Sequence, residues 1–200
     1  MVQSGLTGRT DVSHYRLSIH LFVAFIIFTY LLWIYFNLNI NKFSIGKAKV
    51  PFYLPHIFLF LIFIQIVIGA FVSGLDAGQI YQTWPLMNEN YFPDDSKFKE
   101  IFTIKVFESR SLLQFIHRNI AYLILFIFFF IFFLIFSKDK FFYLKKNALI
   151  ILLSLFAQIL LGILTIITGA HIAIASLHQI GSIVLVFTSL ILVFKNSKTN

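Results

Sequence analysis

Five stretches of the sequence are each long and apolar enough to cross a lipid bilayer: Leu17–Phe36, Phe52–Ser73, Leu112–Phe136, Ala148–Thr168 and Ile172–Phe194. A helix rises about 1.5 Å per residue, so roughly twenty apolar residues match the hydrocarbon thickness of a membrane. Inside hydrocarbon the backbone must satisfy its own hydrogen bonds, which leaves the helix as the answer for a single span of this length. A soluble domain of 200 residues has no interior able to take up a chain that is 59% hydrophobic. The expected fold class is all-α: a polytopic membrane protein with five transmembrane helices and the lipid bilayer as its solvent. The sequence has no cysteine, which excludes disulfides, thiolate catalysis, iron–sulfur clusters and Cys-ligated zinc.

The net charge of +8 reads as basic loops rather than as a nucleic-acid surface. The loop Asn37–Val50 holds Lys42, Lys47 and Lys49, and the loop Ser137–Lys146 holds Lys138, Lys140, Lys145 and Lys146 against Asp139. Lys195 and Lys198 lie in the tail, whereas the long loop Gly74–Ser111 mixes six acidic with four basic residues. The positive-inside rule then places the Lys-rich loops and the C-terminus in the cytoplasm of a cell (inner) membrane, with the N-terminus and the long loop outside. The polar opening, Met1–Arg16, has no apolar core and reads as no cleavable signal peptide.

An internal repeat accompanies this topology. Gln65-Ile66-Val67-Ile68-Gly69 recurs as Gln158-Ile159-Leu160-Leu161-Gly162, each in a helix expected to run from inside to outside. Met1–Leu6 resembles the end of the first of these helices, Phe71–Leu75, so the chain reads as opening at the tail of a repeat unit whose body lies elsewhere. After each such end comes a helix with a histidine near its outer end: His20, His117 and His178.

Those three histidines are expected at one depth on parallel helices. Ionisable residues at membrane depth mark functional sites by default. Two imidazoles at matched depth can clamp one flat cofactor, as in bis-histidine haem ligation within a four-helix bundle. The last four spans, Phe52 to Phe194, form such a bundle and contain both His117 and His178. Each histidine alone also reads as an amphipathic boundary residue. Zinc is the rival metal, yet no Cys, Asp or Glu lies at that depth. Arg118 reads either as an interfacial anchor or as the partner of a haem propionate. His171 lies two turns before His178 and either approaches a propionate or caps the helix; His56 reads as structural and His14 as solvated. Gly69, Gly74, Gly162 and Gly169 allow close approach of helices or of a porphyrin face. Tyr81 and Trp84 suit a membrane-hugging lid over the outer mouth of the bundle.

Gly69–Asn88 (GAFVSGLDAGQIYQTWPLMN), Gln114–Tyr122 (QFIHRNIAY) and Leu161–Ser182 (LGILTIITGAHIAIASLHQIGS) resemble the haem A synthase family, as do Met1–Leu6 and Val12–Leu21. The resemblance covers essentially the whole chain. It implies eight helices in two pseudo-symmetric halves, of which residues 1–51 would be the end of the first half and 52–200 the C-terminal four-helix bundle. It implies an oxidoreductase that converts the C8 methyl group of haem o to the formyl group of haem a for terminal cytochrome oxidase. His117 and His178 match the axial ligands of a resident haem b, with Arg118 beside them, and His20 matches a histidine of the substrate half. The other N-terminal histidine and an acidic outer-loop residue of that family fall outside this chain, so no catalytic residue is assigned within it. Haem O synthase and oxidase assembly proteins are the partners the resemblance implies. A bis-histidine b-type cytochrome exchanging electrons with quinone, and a non-catalytic assembly or transport protein, are the competing readings.

Overall fold

Each apolar stretch becomes one helix in the computed structural model, which describes residues 13–51 and 53–198. The helices are α1 (His14–Leu38), α2 (Leu54–Gly74), α3 (Arg110–Phe136), α4 (Phe142–Ile167) and α5 (Ile172–Ser197). All five meet the length and hydropathy of a membrane span. Helices α2, α3, α4 and α5 close a ring in which each packs on its two neighbours, and α1 lies outside it against α2 and α5. The resemblance of Met1–Leu6 to a helix end falls outside the described residues, as does Phe52 at the expected start of the second span.

The chain runs up and down, which contacts at the two ends make explicit. At one end the start of α1 meets the end of α2, since a Cβ on Gly74 would strike His14. The turn between α4 and α5 meets the long loop at the same end, where Gln82 lies against Gly169. At the other end Asn196 bonds Val50 and Tyr143 bonds Ala48. Helices α1, α3 and α5 therefore run in one direction. His20 and His178 are the seventh residues of their helices and His117 the eighth, so the matched depth follows from the constant helical rise.

Helix starts differ from expectation for local reasons. Ser109 caps α3, its side chain accepting from the Leu112 amide, and draws Arg110 and Ser111 into the helix. Helix α4 begins at Phe142, six residues before the expected Ala148, so Lys145 and Lys146 ride a helix and not a loop. The reason is a buried stripe, Leu144, Asn147, Ala148, Ile151 and Leu155, whose helical spacing runs through the basic stretch. Lys145 lies 3.8 Å from Asp139 and over the Phe136 ring, its stem covering apolar surface while its charge stays at the edge.

The core is concentrated at the lysine-rich end. Phe58, Ile62, Phe128, Ile131, Ile135, Ile151 and Val186 pack there at 0–2% exposure. The buried side chains of α4 all lie between Leu144 and Leu155, and those of α5 between Leu185 and Asn196. The halves of both helices nearer the histidines contribute none, so at that end the buried side chains come from α2 and α3.

Candidate functional site

Gly69 and Gly162 give the histidines their room. A Cβ on Gly69 would meet His117 Cε1 at 3.0 Å, and a Cβ on Gly162 would meet His178 Cε1 at 3.2 Å. Ordinary helix packing was one expected use of these glycines; each instead makes a notch filled by an imidazole from the neighbouring helix. Gly74 does serve helix packing, against the His14 backbone. Gly169 sits at φ 64° in the turn before α5, a conformation that suits a residue without Cβ.

The two rings face one another across the bundle with centroids 6.5 Å apart and planes inclined by 78°. Two imidazoles on opposite sides of one metal, at an ordinary metal–nitrogen distance of about 2.0–2.1 Å, have ring centres roughly 6–6.5 Å apart. The spacing fits a single metal ion between the rings. Nδ1 of both rings is buried without a hydrogen-bond partner. Among the described residues no group of three or more His, Cys, Asp or Glu side chains converges on a point.

Sequence reasoning named the Gln65–Gly69 and Gln158–Gly162 repeat but gave the glutamines no role. Gln65 Nε2 lies 3.0 Å from the His117 carbonyl oxygen and 3.3 Å from His117 Nε2. Gln158 fills the corresponding notch on α5, where a Cβ on Gly181 would overlap its amide nitrogen. The available signal was the recurrence itself: each Gln precedes its Gly by four residues, one turn along the same helix face.

Arg118 is 7% exposed, and its guanidinium is turned to the long loop. Nη1 donates to the Leu86 carbonyl at 3.2 Å and Nη2 to the Tyr81 carbonyl at 3.1 Å, while Nε is buried and unmatched. Buried Gln114, one turn earlier on α3, donates to the same Tyr81 carbonyl at 3.0 Å. Trp84 Nε1 donates to the Tyr122 hydroxyl, Tyr91 to Asn119, and Ser111 to Asp95. The loop is thus fastened along α3 above the histidines and reaches α2 and α4 as well. Tyr81 packs within the protein: it is 4% exposed and donates its hydroxyl to Asp95 at 3.2 Å. Burial, then the Asp95 carboxylate, push its phenol above the ordinary value.

The remaining histidines part from this pair. His20 is exposed and lies two residues beyond buried Ser18, on the opposite side of α1 from the bundle. His171 is the residue before α5, exposed, and its side chain makes no cap. His56 is exposed beside Tyr53. His14 is not solvated as expected: it is half-buried, tilted against Phe71, with Nε2 3.6 Å from Glu108.

The sequence profile of the family described as COX15-CtaA, cytochrome oxidase assembly protein, matches residues 1–190. The chain belongs to that family. COX15-CtaA relatives include the heme A synthase of Pelagibacter ubique (strain HTCC1062), 43% identical over 197 residues, which covers 98% of this chain and 57% of that protein. The heme A synthase of Wolbachia pipientis wMel is 41% identical over 193 residues, covering 95% and 53%, and that of Flavobacterium johnsoniae 36% over 188 residues, covering 90% and 53%. This member of the COX15-CtaA family therefore spans a little over half the length of the curated relatives it matches. No solved structure matches it.

Proposed function

We propose that the chain provides the cofactor-holding four-helix bundle, residues 52–200, of a heme A synthase that oxidises the C8 methyl group of haem o to the formyl group of haem a. The single observation that carries this reading is the His117–His178 pair, with ring centroids 6.5 Å apart between α3 and α5. A haem b between these rings would supply a one-electron centre beside the oxidation chemistry. The chain's own share is to hold two neutral imidazoles at fixed spacing. Gly69 and Gly162 make room for the rings, and the loop fastened by Arg118 covers their outer side and limits water. Arg118 Nε remains unmatched and suits a carboxylate such as a propionate. His20, on the face of α1 turned away from the bundle, belongs to the substrate haem. The histidine end faces outward and the lysine-rich end the cytoplasm, following the charge asymmetry. Haem O synthase and oxidase assembly proteins are the partners this activity calls for.

Purification from haem-replete cells tests the cofactor. A low-spin b-type spectrum is expected for the wild type and for His56→Ala, with loss of haem in His117→Ala and His178→Ala. A colourless wild-type protein overturns the reading. The activity is tested by joining the chain to the part of the Pelagibacter relative that it does not cover, supplying haem o, and extracting pigments. Haem a is the expected product; haem b alone would favour the quinone-linked cytochrome.

A further inference from the structure

Gln65 touches His117 twice, and the chemistry of the two contacts fixes both groups. The His117 carbonyl oxygen can only accept a hydrogen bond, so the Gln65 atom 3.0 Å from it is the amide nitrogen. The same nitrogen lies 3.3 Å from His117 Nε2, and an amide NH2 group offers only protons. As a hydrogen bond from the amide, this contact requires Nε2 to be the bare nitrogen and Nδ1 the protonated one. A bare Nε2 is what a metal requires of this ring. The arrangement leaves Gln65 Oε1 and the His117 Nδ1–H both buried and unmatched. Gln65 thus keeps the Nε2 lone pair occupied and the ring in one tautomer without sealing the site.

We propose that Gln65 is the positioning residue of His117: it selects the tautomer with a free Nε2 lone pair and holds that lone pair with an amide N–H until a metal centre replaces it. The metal part of this inference rests on the haem reading above; the tautomer part does not. Gln65 acts through His117, and its remaining contact to the His117 carbonyl would keep the side chain in place when Nε2 is taken.

The test uses the full chain in lipid nanodiscs, prepared from haem-limited cells with 15N-labelled histidine. Ring-nitrogen shifts report which nitrogen carries the proton, and the His117 signal is identified by its loss in His117→Met. The wild type is expected to show Nδ1 protonated and Nε2 bare. Gln65→Glu, studied at pH 8, presents an acceptor to Nε2 and should move the proton there, changing the tautomer ratio at least tenfold. Gln65→Met keeps the bulk without the donor and should give a mixture. An identical His117 pattern in all three proteins overturns the proposal. Haem titration followed by the Soret band adds a second readout: Gln65→Glu should bind at least tenfold more weakly than Gln65→Met. Equal losses would mean that Gln65 only packs helices, and would also overturn it. If the wild type takes up no haem, the haem reading fails, while the ring-nitrogen pattern still decides what Gln65 does.

Discussion

A methyl group on Gly162 would stand 3.2 Å from Cε1 of His178, closer than nearly all real contacts of a Cβ. The notch left by this glycine and the ring that fills it are one feature. Alanine at position 162 should have two opposite effects. Its helix propensity should add about 0.5–1 kcal/mol to the haem-free protein, less the cost of moving the His178 ring that already stands 3.2 Å away there. It should lower haem retention, because the ring must yield by a few tenths of an ångström. Gly162→Leu should abolish haem binding while circular dichroism still shows a helical protein. Thermal unfolding of the haem-free form and pyridine haemochrome content measure the two effects separately. A Gly162→Ala protein with full haem content and an unchanged spectrum would refute the link.

Arg118 holds the loop by two separated carbonyls, Tyr81 and Leu86. Hydrogen bonds from a charged donor contribute about 1.5–3 kcal/mol each, so Arg118→Ala should weaken loop docking by about 2–4 kcal/mol after partial replacement by water. Protease cleavage within Leu75–Ser109 should accelerate accordingly, with helicity unchanged. Arg118→Lys should restore no more than half, because one ammonium group lacks the planar fork that reaches both oxygens. Full protection in the lysine variant would show that charge alone suffices.

The helices and the histidine pair were legible because both depend on counting. Apolar runs give the spans, and a constant rise brings His117 and His178 to one level. Contacts with backbone groups were not legible, since a carbonyl leaves no mark on the sequence; Arg118 could not be assigned to Tyr81 and Leu86 from its type. The same holds for His14, whose neighbour Glu108 comes from the far end of the long loop. The start of α4 was misplaced because Lys145 and Lys146 read as a loop, although the buried stripe through Leu144 and Ala148 was already visible there. Gln65 and Gln158 were overlooked for another reason. A polar residue in an apolar helix has the same letter whether it faces lipid, a helix backbone or an imidazole.

The Tyr81 phenol provides a pH signature of loop docking. Burial and the Asp95 carboxylate favour its neutral form in the folded protein. In the unfolded chain it ionises near pH 10 (an approximate reference value). Between that pH and its higher folded value the unfolded state holds fewer protons, so stability falls as pH rises, and this contribution is level below about pH 10. Asp95→Asn should move tyrosinate formation at this site to lower pH, read as the absorbance difference from Tyr81→Phe. An unshifted curve would mean that the Asp95 charge does not reach the phenol.

Asn196 allows the two ends of the bundle to be tested independently. Its Oδ1 accepts from the Val50 amide at 2.7 Å and its Nδ2 meets the Val50 carbonyl at 3.4 Å, so a buried side chain completes the bonding of a loop residue as a paired strand would. Tyr143 holds the same loop two residues earlier through the Ala48 carbonyl, at 2.7 Å. Asn196→Ala leaves the buried Val50 amide unmatched and should cost about 1–3 kcal/mol. Asn196→Asp should be worse, because it adds a buried carboxylate facing a carbonyl while keeping the acceptor. Tyr143→Phe combined with Asn196→Ala should destabilise by less than the sum of the two, since either change alone already loosens the loop. None of these variants should alter haem retention, because the filled core around Phe128 and Ile151 lies between this loop and the histidines. Unfolding in mild detergent and haemochrome content, measured on the same samples, decide the matter. Haem loss in Asn196→Ala at temperatures where the helices remain intact would show that the two ends are coupled through the ring.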